Sequence, residues 1–191
     1  MVAGSGCVAP VAPGSGDDDD APSTDAGTGT GSNAADSLSP LAVGHTWTYD
    51  VTSTYPSCLS GTRETRVTST AVVEGRASLT VENFCGSVGY SSANGDRVDE
   101  HYNYGPSGWM RSLDAPVRDG YTWRTTNGGA AFDMTYDDIG NFGGYTRCWR
   151  VTQQVAYASS WIYCRGVGLV KYEMIDLAGG TIVADLVRTN F

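Results

Sequence analysis

Lysine is nearly missing from this chain: Lys171 is the only one in 191 residues, and the remaining basic side chains are scattered arginines. Nucleic acids and anionic membrane surfaces demand grouped cations, so the charge pattern excludes both as electrostatic partners. Histidine is almost as scarce, with only His45 and His101. There is no Gly-x-Ser-x-Gly elbow, phosphate-binding glycine loop or His-Glu-x-x-His, and no Cys-x-x-Cys pair of the kind that holds zinc. No run approaches the ~20 apolar residues of a spanning helix. The first forty residues contain no Lys or Arg, but they carry Asp17, Asp18, Asp19, Asp20, Asp25 and Asp36 among Gly, Ala, Ser, Thr and Pro. Such a composition cannot bury a core. Residues 1–37 are therefore expected to be a disordered acidic tether and residues 38–191 a single β-domain. Met1-Val-Ala-Gly-Ser-Gly-Cys7 has neither the basic nor the apolar region of a signal peptide, so an export signal is expected upstream of Met1.

Beyond the tether, apolar residues recur at period two and turn signals arrive every eight to twelve residues. The pattern predicts an all-β fold: a single antiparallel, curled sheet, half-barrel or barrel-like, built of hairpins. Pro-x-x-x-Gly-x-Thr-Trp occurs twice, at Pro40–Trp47 and Pro116–Trp123, each time leading into a strand. In the first strand Trp47, Tyr49, Val51 and Tyr55 share the core face, with Thr48, Asp50, Thr52 and Thr54 on the wet one. Glu74-Gly75-Arg76 and Asn94-Gly95 are read as hairpin turns, and Gly179-Gly180 closes a final hairpin. The segment from Asp133 to Gly144 reads as the most loop-like of the domain.

Of five cysteines, Cys58, Cys85, Cys148 and Cys164 lie within the domain, an even set that suggests disulfides and an oxidising compartment. Four cysteines allow three connectivities. A hairpin centred on Ala156 places Cys148 opposite Cys164, Trp149 opposite Tyr163 and Val151 opposite Trp161, which leaves Cys58 to pair with Cys85. No catalytic residue, metal ligand or cofactor site stands out. Asp99, His101 and Asn103 share a strand face but read as polar surface, and Asp133, Asp137, Asp138 and Asn141 read as a solvated turn rather than a calcium loop. The adjacent acids Asp99 and Glu100 point to opposite faces of their strand. Eleven Tyr and five Trp divide into core (Trp47, Tyr49, Trp149, Trp161, Tyr163) and candidates for an exposed ligand patch: Tyr102, Tyr104, Trp109 and Tyr145.

Pro40-Leu-Ala-Val-Gly-His-Thr-Trp-Thr-Tyr49 together with Cys164-Arg-Gly-Val-Gly-Leu-Val-Lys171 resembles a group of bacterial envelope lipoproteins without an assigned activity. They are common among myxobacteria, opening with PL-x-VG-x-x-W-x-Y and closing near GVG-x-V-K. The resemblance implies an extracytoplasmic β-domain anchored to the outer membrane through a lipidated Cys7, and the domain is expected to be a monomer. Gly6 suits the cleavage position before it, while Gly4 stands where such proteins usually carry Leu. The function expected is non-enzymatic, structural or binding, with a glycan, a lipid or an envelope protein as ligand. The alternative is a hydrolase-like enzyme with its site in the 133–145 segment.

Overall fold

The computed structural model describes residues 35–102, 107–154 and 158–191, and within them it contains strands but no helix. Twelve strands run in chain order: β1 Thr46–Ser53, β2 Gly61–Val73, β3 Arg76–Glu82, β4 Val88–Asn94, β5 Arg97–Tyr102 and β6 Gly108–Leu113, followed by β7 Thr122–Asn127, β8 Ala130–Phe142, β9 Tyr145–Gln154, β10 Ala158–Cys164, β11 Gly168–Ile175 and β12 Thr181–Thr189. They form one antiparallel sheet in which every strand pairs with its neighbours in sequence except β6 and β7, and β1 also pairs with β12. The sheet therefore curls into a nearly closed barrel whose two free edges are β6 and β7. Where these edges meet, side chains take over from the ladder. The Arg111 N–H donates to Thr125 Oγ1 at 2.8 Å, and Trp123 Nε1 donates to the Arg111 carbonyl at 3.1 Å.

Alternation in β1 decides the wall. Trp47, Tyr49 and Val51 are buried on the inner face and Asp50 and Thr52 are exposed on the outer one. Thr48 departs from the expected wet face and is buried, because Arg188 and Glu64 lie over it on the adjacent strands. Arg188 Nε approaches Thr48 Oγ1 at 3.4 Å. The two Pro-x-x-x-Gly-x-Thr-Trp segments lead into β1 and β7, the first strands of the two six-strand runs. They make matching backbone hydrogen bonds. Gly44 N donates to Val67 O and Val67 N to His45 O, while Gly120 N donates to Tyr136 O and Tyr136 N to Tyr121 O, at 2.8–3.0 Å.

Two segments differ from the sequence reading. Asp133 to Gly144 is not a loop: most of it lies in the 13-residue strand β8, paired to both β7 and β9. The glycines and aspartates that suggested a loop are absorbed by register shifts around Gly140, whose positive φ of 66° lets an irregular strand keep its partner. The turn between β4 and β5 is Gly95-Asp96, since Asn94 already pairs with Arg97. The β9–β10 register is the one expected: Cys148 faces Cys164, Trp149 faces Tyr163 and Val151 faces Trp161. Both disulfides, Cys58–Cys85 and Cys148–Cys164, are present.

The end of the barrel where β1 begins is stoppered by the chain itself. Leu38 and Pro40 are fully buried there and Leu41 nearly so. Asp96 accepts from Leu38 N at 3.0 Å and is held by Arg165 at 2.9 Å, while Arg147 grips Asp36 at 2.6 Å and Gly166 N donates to Ser37 O at 3.0 Å. Leu38 closes the hole by burying apolar area, and the ion pairs around it set its position.

Candidate functional site

The twelve inner faces do not fill the barrel. A cavity of about 350 Å³ runs from the stopper, at Ser39 and Leu41, to the far end, at Asn83, Phe84 and Cys85. That volume lies in the range of small-molecule sites, roughly 300–1,000 Å³. Aromatic and thioether side chains dominate the wall: Trp47 and Tyr49 from β1, Trp161 and Tyr163 from β10, Tyr172 and Met174 from β11, with Met110 and Met134 across the lumen. The aromatics expected in the core are thus inward-facing, and most of them line this space. The Cys58–Cys85 bridge ties the β1–β2 loop to the β3–β4 loop at the far end. Next to it Phe84 packs on Tyr49 and Tyr172, with ring centroids 5.3 and 5.9 Å apart.

Sequence and geometry fix several lining groups firmly. Trp47 Nε1 donates to Val167 O at 2.6 Å and Tyr49 Oη to Leu169 O at 2.9 Å, so both rings are held by the opposite wall. Gly168 packs against the indole: a Cβ there would stand 2.9 Å from Trp47 Nε1, and its φ of 96° is one that side chains avoid. Burial holds the phenols of Tyr49 and Tyr163 well above the usual pKa range. They serve as neutral lining and hydrogen-bonding groups.

One residue breaks the apolar pattern. Glu100, on β5, is the sole carboxyl lining the cavity among the described residues, and no Lys, Arg or His lines it. It sits in register between Ser91 of β4 and Met110 of β6, both of which line the lumen. Its side chain keeps exposed surface and lines both this cavity and the one beside it. Burial within the barrel raises its pKa above the usual 4.5. Its neighbour Asp99 points outward and is bonded to Arg76 and Arg111 at 3.2 and 3.0 Å. Nothing comparable neutralises Glu100. A second cavity of about 500 Å³ shares Val81, Asn83, Ser91, Glu100 and Met110 with the first and continues to Val88, which is 56% exposed. Glu100 stands where the two spaces meet.

The residues proposed from sequence for an exposed patch fall in separate places. Tyr102 lines the second cavity near Glu100. Trp109 lies edge-on to His101 at 5.1 Å and under the Arg76 guanidinium at 4.9 Å. Tyr145 packs instead against the cluster around the Cys148–Cys164 bridge. Tyr104, Asn103 and Cys7 lie outside the described residues. His101 Nε2 lies 3.4 Å from Glu74, and His45 Nδ1 is 2.7 Å from the Pro40 carbonyl, with its ring stacked on Phe191. Of the aspartates in the 133–145 segment, Asp133 pairs with Arg124, and Asp138 Oδ1 accepts from Gly140 N. Among the described residues no group of three His, Cys, Asp or Glu is placed to hold a metal ion. The functional residue that sequence reasoning passed over is Glu100. Its signal was available, because alternation puts it on the same face as Val98, which is buried in the core.

Comparison with known proteins adds little. No family model matches the chain, and neither does any curated protein. A solved structure from Parabacteroides distasonis, provisionally described as a lipoprotein, aligns with 80% of this chain and 98% of its own, at 9% identity and a TM-score of 0.40. At that level of likeness nothing transfers from one protein to the other.

Proposed function

We propose that this protein is a non-enzymatic envelope lipoprotein whose β-barrel carries an apolar, lipid-like molecule in its lumen, with Cys7 as the anchor to the outer membrane. The observation that carries the binding reading is the aromatic and methionine-lined cavity, because well-packed interiors rarely leave voids larger than a water molecule. Of the ligand classes considered from sequence, a lipid fits best. Most of the large aromatics line the inside, and Trp109, which does not, lies under the Arg76 guanidinium instead of in an open sugar platform. A lone carboxyl has no paired acid or base with which to run general acid–base chemistry. The two disulfides favour an oxidising, extracytoplasmic compartment.

The test is direct. Delipidated protein titrated with the apolar fluorophore N-phenyl-1-naphthylamine is expected to show saturable, one-to-one enhancement, displaced by single-chain lipids. Met134→Arg, which puts a charged chain in the lumen, should abolish it while the far-ultraviolet circular dichroism stays unchanged. Non-saturable or undetectable enhancement in the wild type would refute the lumen as a site. The anchor is tested separately. With an export signal placed upstream in a Gram-negative host, labelled palmitate should enter the chain, and Cys7→Ala should remove it.

A further inference from the structure

We infer that the lumen selects a cationic amphiphile, a single apolar chain ending in an ammonium group, and that Glu100 is the residue that receives this group. The inference rests on the lumen being the binding site and specifies what the site prefers.

Three features of the cavity converge on it. The first is the uncompensated acid: Glu100 is aimed into the space shared by both cavities and has no cationic partner, whereas Asp99, Asp114 and Asp96 on the same side of the barrel are each held by arginine. A carboxyl placed in an apolar interior costs stability unless a partner arrives. A ligand that brings a cation supplies the partner that the wall of the cavity does not hold among the described residues. The second is the lining around the acid. Tyr163 is close enough for the charge of Glu100, after burial, to be the next influence holding its phenol neutral, and Trp161 and Tyr172 face each other at 5.6 Å in the same cavity. Aromatic faces beside a carboxylate attract an ammonium, and each such contact adds to the preference. The third is the missing countercharge for the opposite ligand. With no Lys, Arg or His among the described residues on the wall of the main cavity, a fatty-acid carboxylate would meet no cation and would confront Glu100. The adjoining cavity adds His101, but that ring is already paired with Glu74.

Ser91 and Ser112 line the cavity near the acid, on β4 and β6 either side of β5. They supply hydroxyls for the remaining donors of an ammonium, and the methionines accommodate a flexible chain. The assignment therefore puts the head group at Glu100, where the second cavity leads outward, and the chain along Met134, Trp161 and Trp47 toward the stopper.

The experiment uses the full chain and three probes of equal length below their micellar concentrations at pH 7: dodecylamine, dodecanol and dodecanoate, each displacing the fluorophore. The expected order is amine tightest, with dodecylamine favoured over dodecanoate by about tenfold or more, as charge-assisted contacts in a dry site allow. In Glu100→Gln, dodecylamine should fall to the affinity of dodecanol while dodecanol itself changes little. If all three bind the wild type equally, or if the amine preference survives in Glu100→Gln, the assignment of Glu100 is wrong although the lumen still binds. If neither the fluorophore nor any of the three binds, the lumen reading itself has failed.

Discussion

Breaking the Cys148–Cys164 bridge is the perturbation whose cost can be worked most directly. The two cysteines are 16 residues apart, both are fully buried, and they occupy opposed positions at the end of the β9–β10 ladder. Closing a loop of that length in the unfolded chain removes entropy worth about 3 kcal/mol at 25 °C. The sulfurs' own packing adds to this, so ~3 kcal/mol is a floor for the double change Cys148→Ala with Cys164→Ala. For a domain of this size each kcal/mol moves the thermal midpoint by roughly 2–4 °C. The variant should therefore melt about 6–12 °C below the wild type, with Cys58–Cys85 still formed by non-reducing peptide mapping. Differential scanning calorimetry under non-reducing conditions makes the measurement. A drop of less than about 2 °C would show that the unfolded chain already holds this hairpin together without the bridge, and would refute the entropic argument.

Three further outcomes are expected. Glu100→Gln should raise the stability of the ligand-free protein at pH 7, read by urea denaturation, because it removes an unpaired charge from a largely apolar lumen. Since burial raises the Glu100 pKa above 4.5, the folded state holds its proton longer than the unfolded one. The associated stability is complete below that value and is lost as pH rises through the folded-state pKa, a slope the variant should lack. Gly168→Ala should cost at least about 2 kcal/mol by adding a forbidden φ to a clash with the Trp47 indole. Gly179→Ala, at a similar φ of 83° in open space, should cost less, and equal losses would remove the packing part of the argument. Deleting residues 8–34 should leave the melting temperature unchanged, whereas deleting through residue 41 should lower it steeply, since each buried Leu removed costs roughly 1.5–3 kcal/mol.

Much of this molecule was legible in the chain because its signals are local and redundant. The alternation of Trp47, Tyr49 and Val51, the facing of Cys148 and Cys164, and the Glu74-Gly75 turn each follow from one strand or one hairpin, and the sheet repeats that unit. What escaped has different causes. Asp133 to Gly144 looked like a loop because its composition is that of turns, yet β7 and β9 supply partners on both sides, and two-sided pairing overrides weak propensity. Asp36 and Ser37 were assigned to the tether because nothing in a Gly- and Asp-rich run announces that Arg147, Arg165 and Gly166, more than a hundred residues away, wait for them. The aromatics were correctly assigned to the inner face. Their spacing could not show that the inner face bounds an empty volume, because the girth of a barrel depends on how all twelve strands add up. Glu100 was seen only as one of two neighbouring acids. Parity separates it from Asp99, but which of the two faces inward follows only from the burial of Val98 on the same strand.

The uneven joining of the barrel has a mechanical consequence. Between β1 and β12 the hoop is fastened by a full ladder, whereas at β6 and β7 no backbone-to-backbone hydrogen bond joins the described residues, and Thr125 and Trp123 act as two clasps. Elsewhere, widening the hoop would mean tearing a row of ladder bonds. At this seam it means releasing side-chain bonds instead, those of Thr125 and Trp123 to Arg111 and those of Tyr121 and Tyr136 to Asp114 just past β6, each worth about 1 kcal/mol. The barrel thus behaves as a split ring whose circumference can grow at one joint while every other pair of strands stays in register. A chain too bulky for the resting lumen would meet its least resistance at that joint.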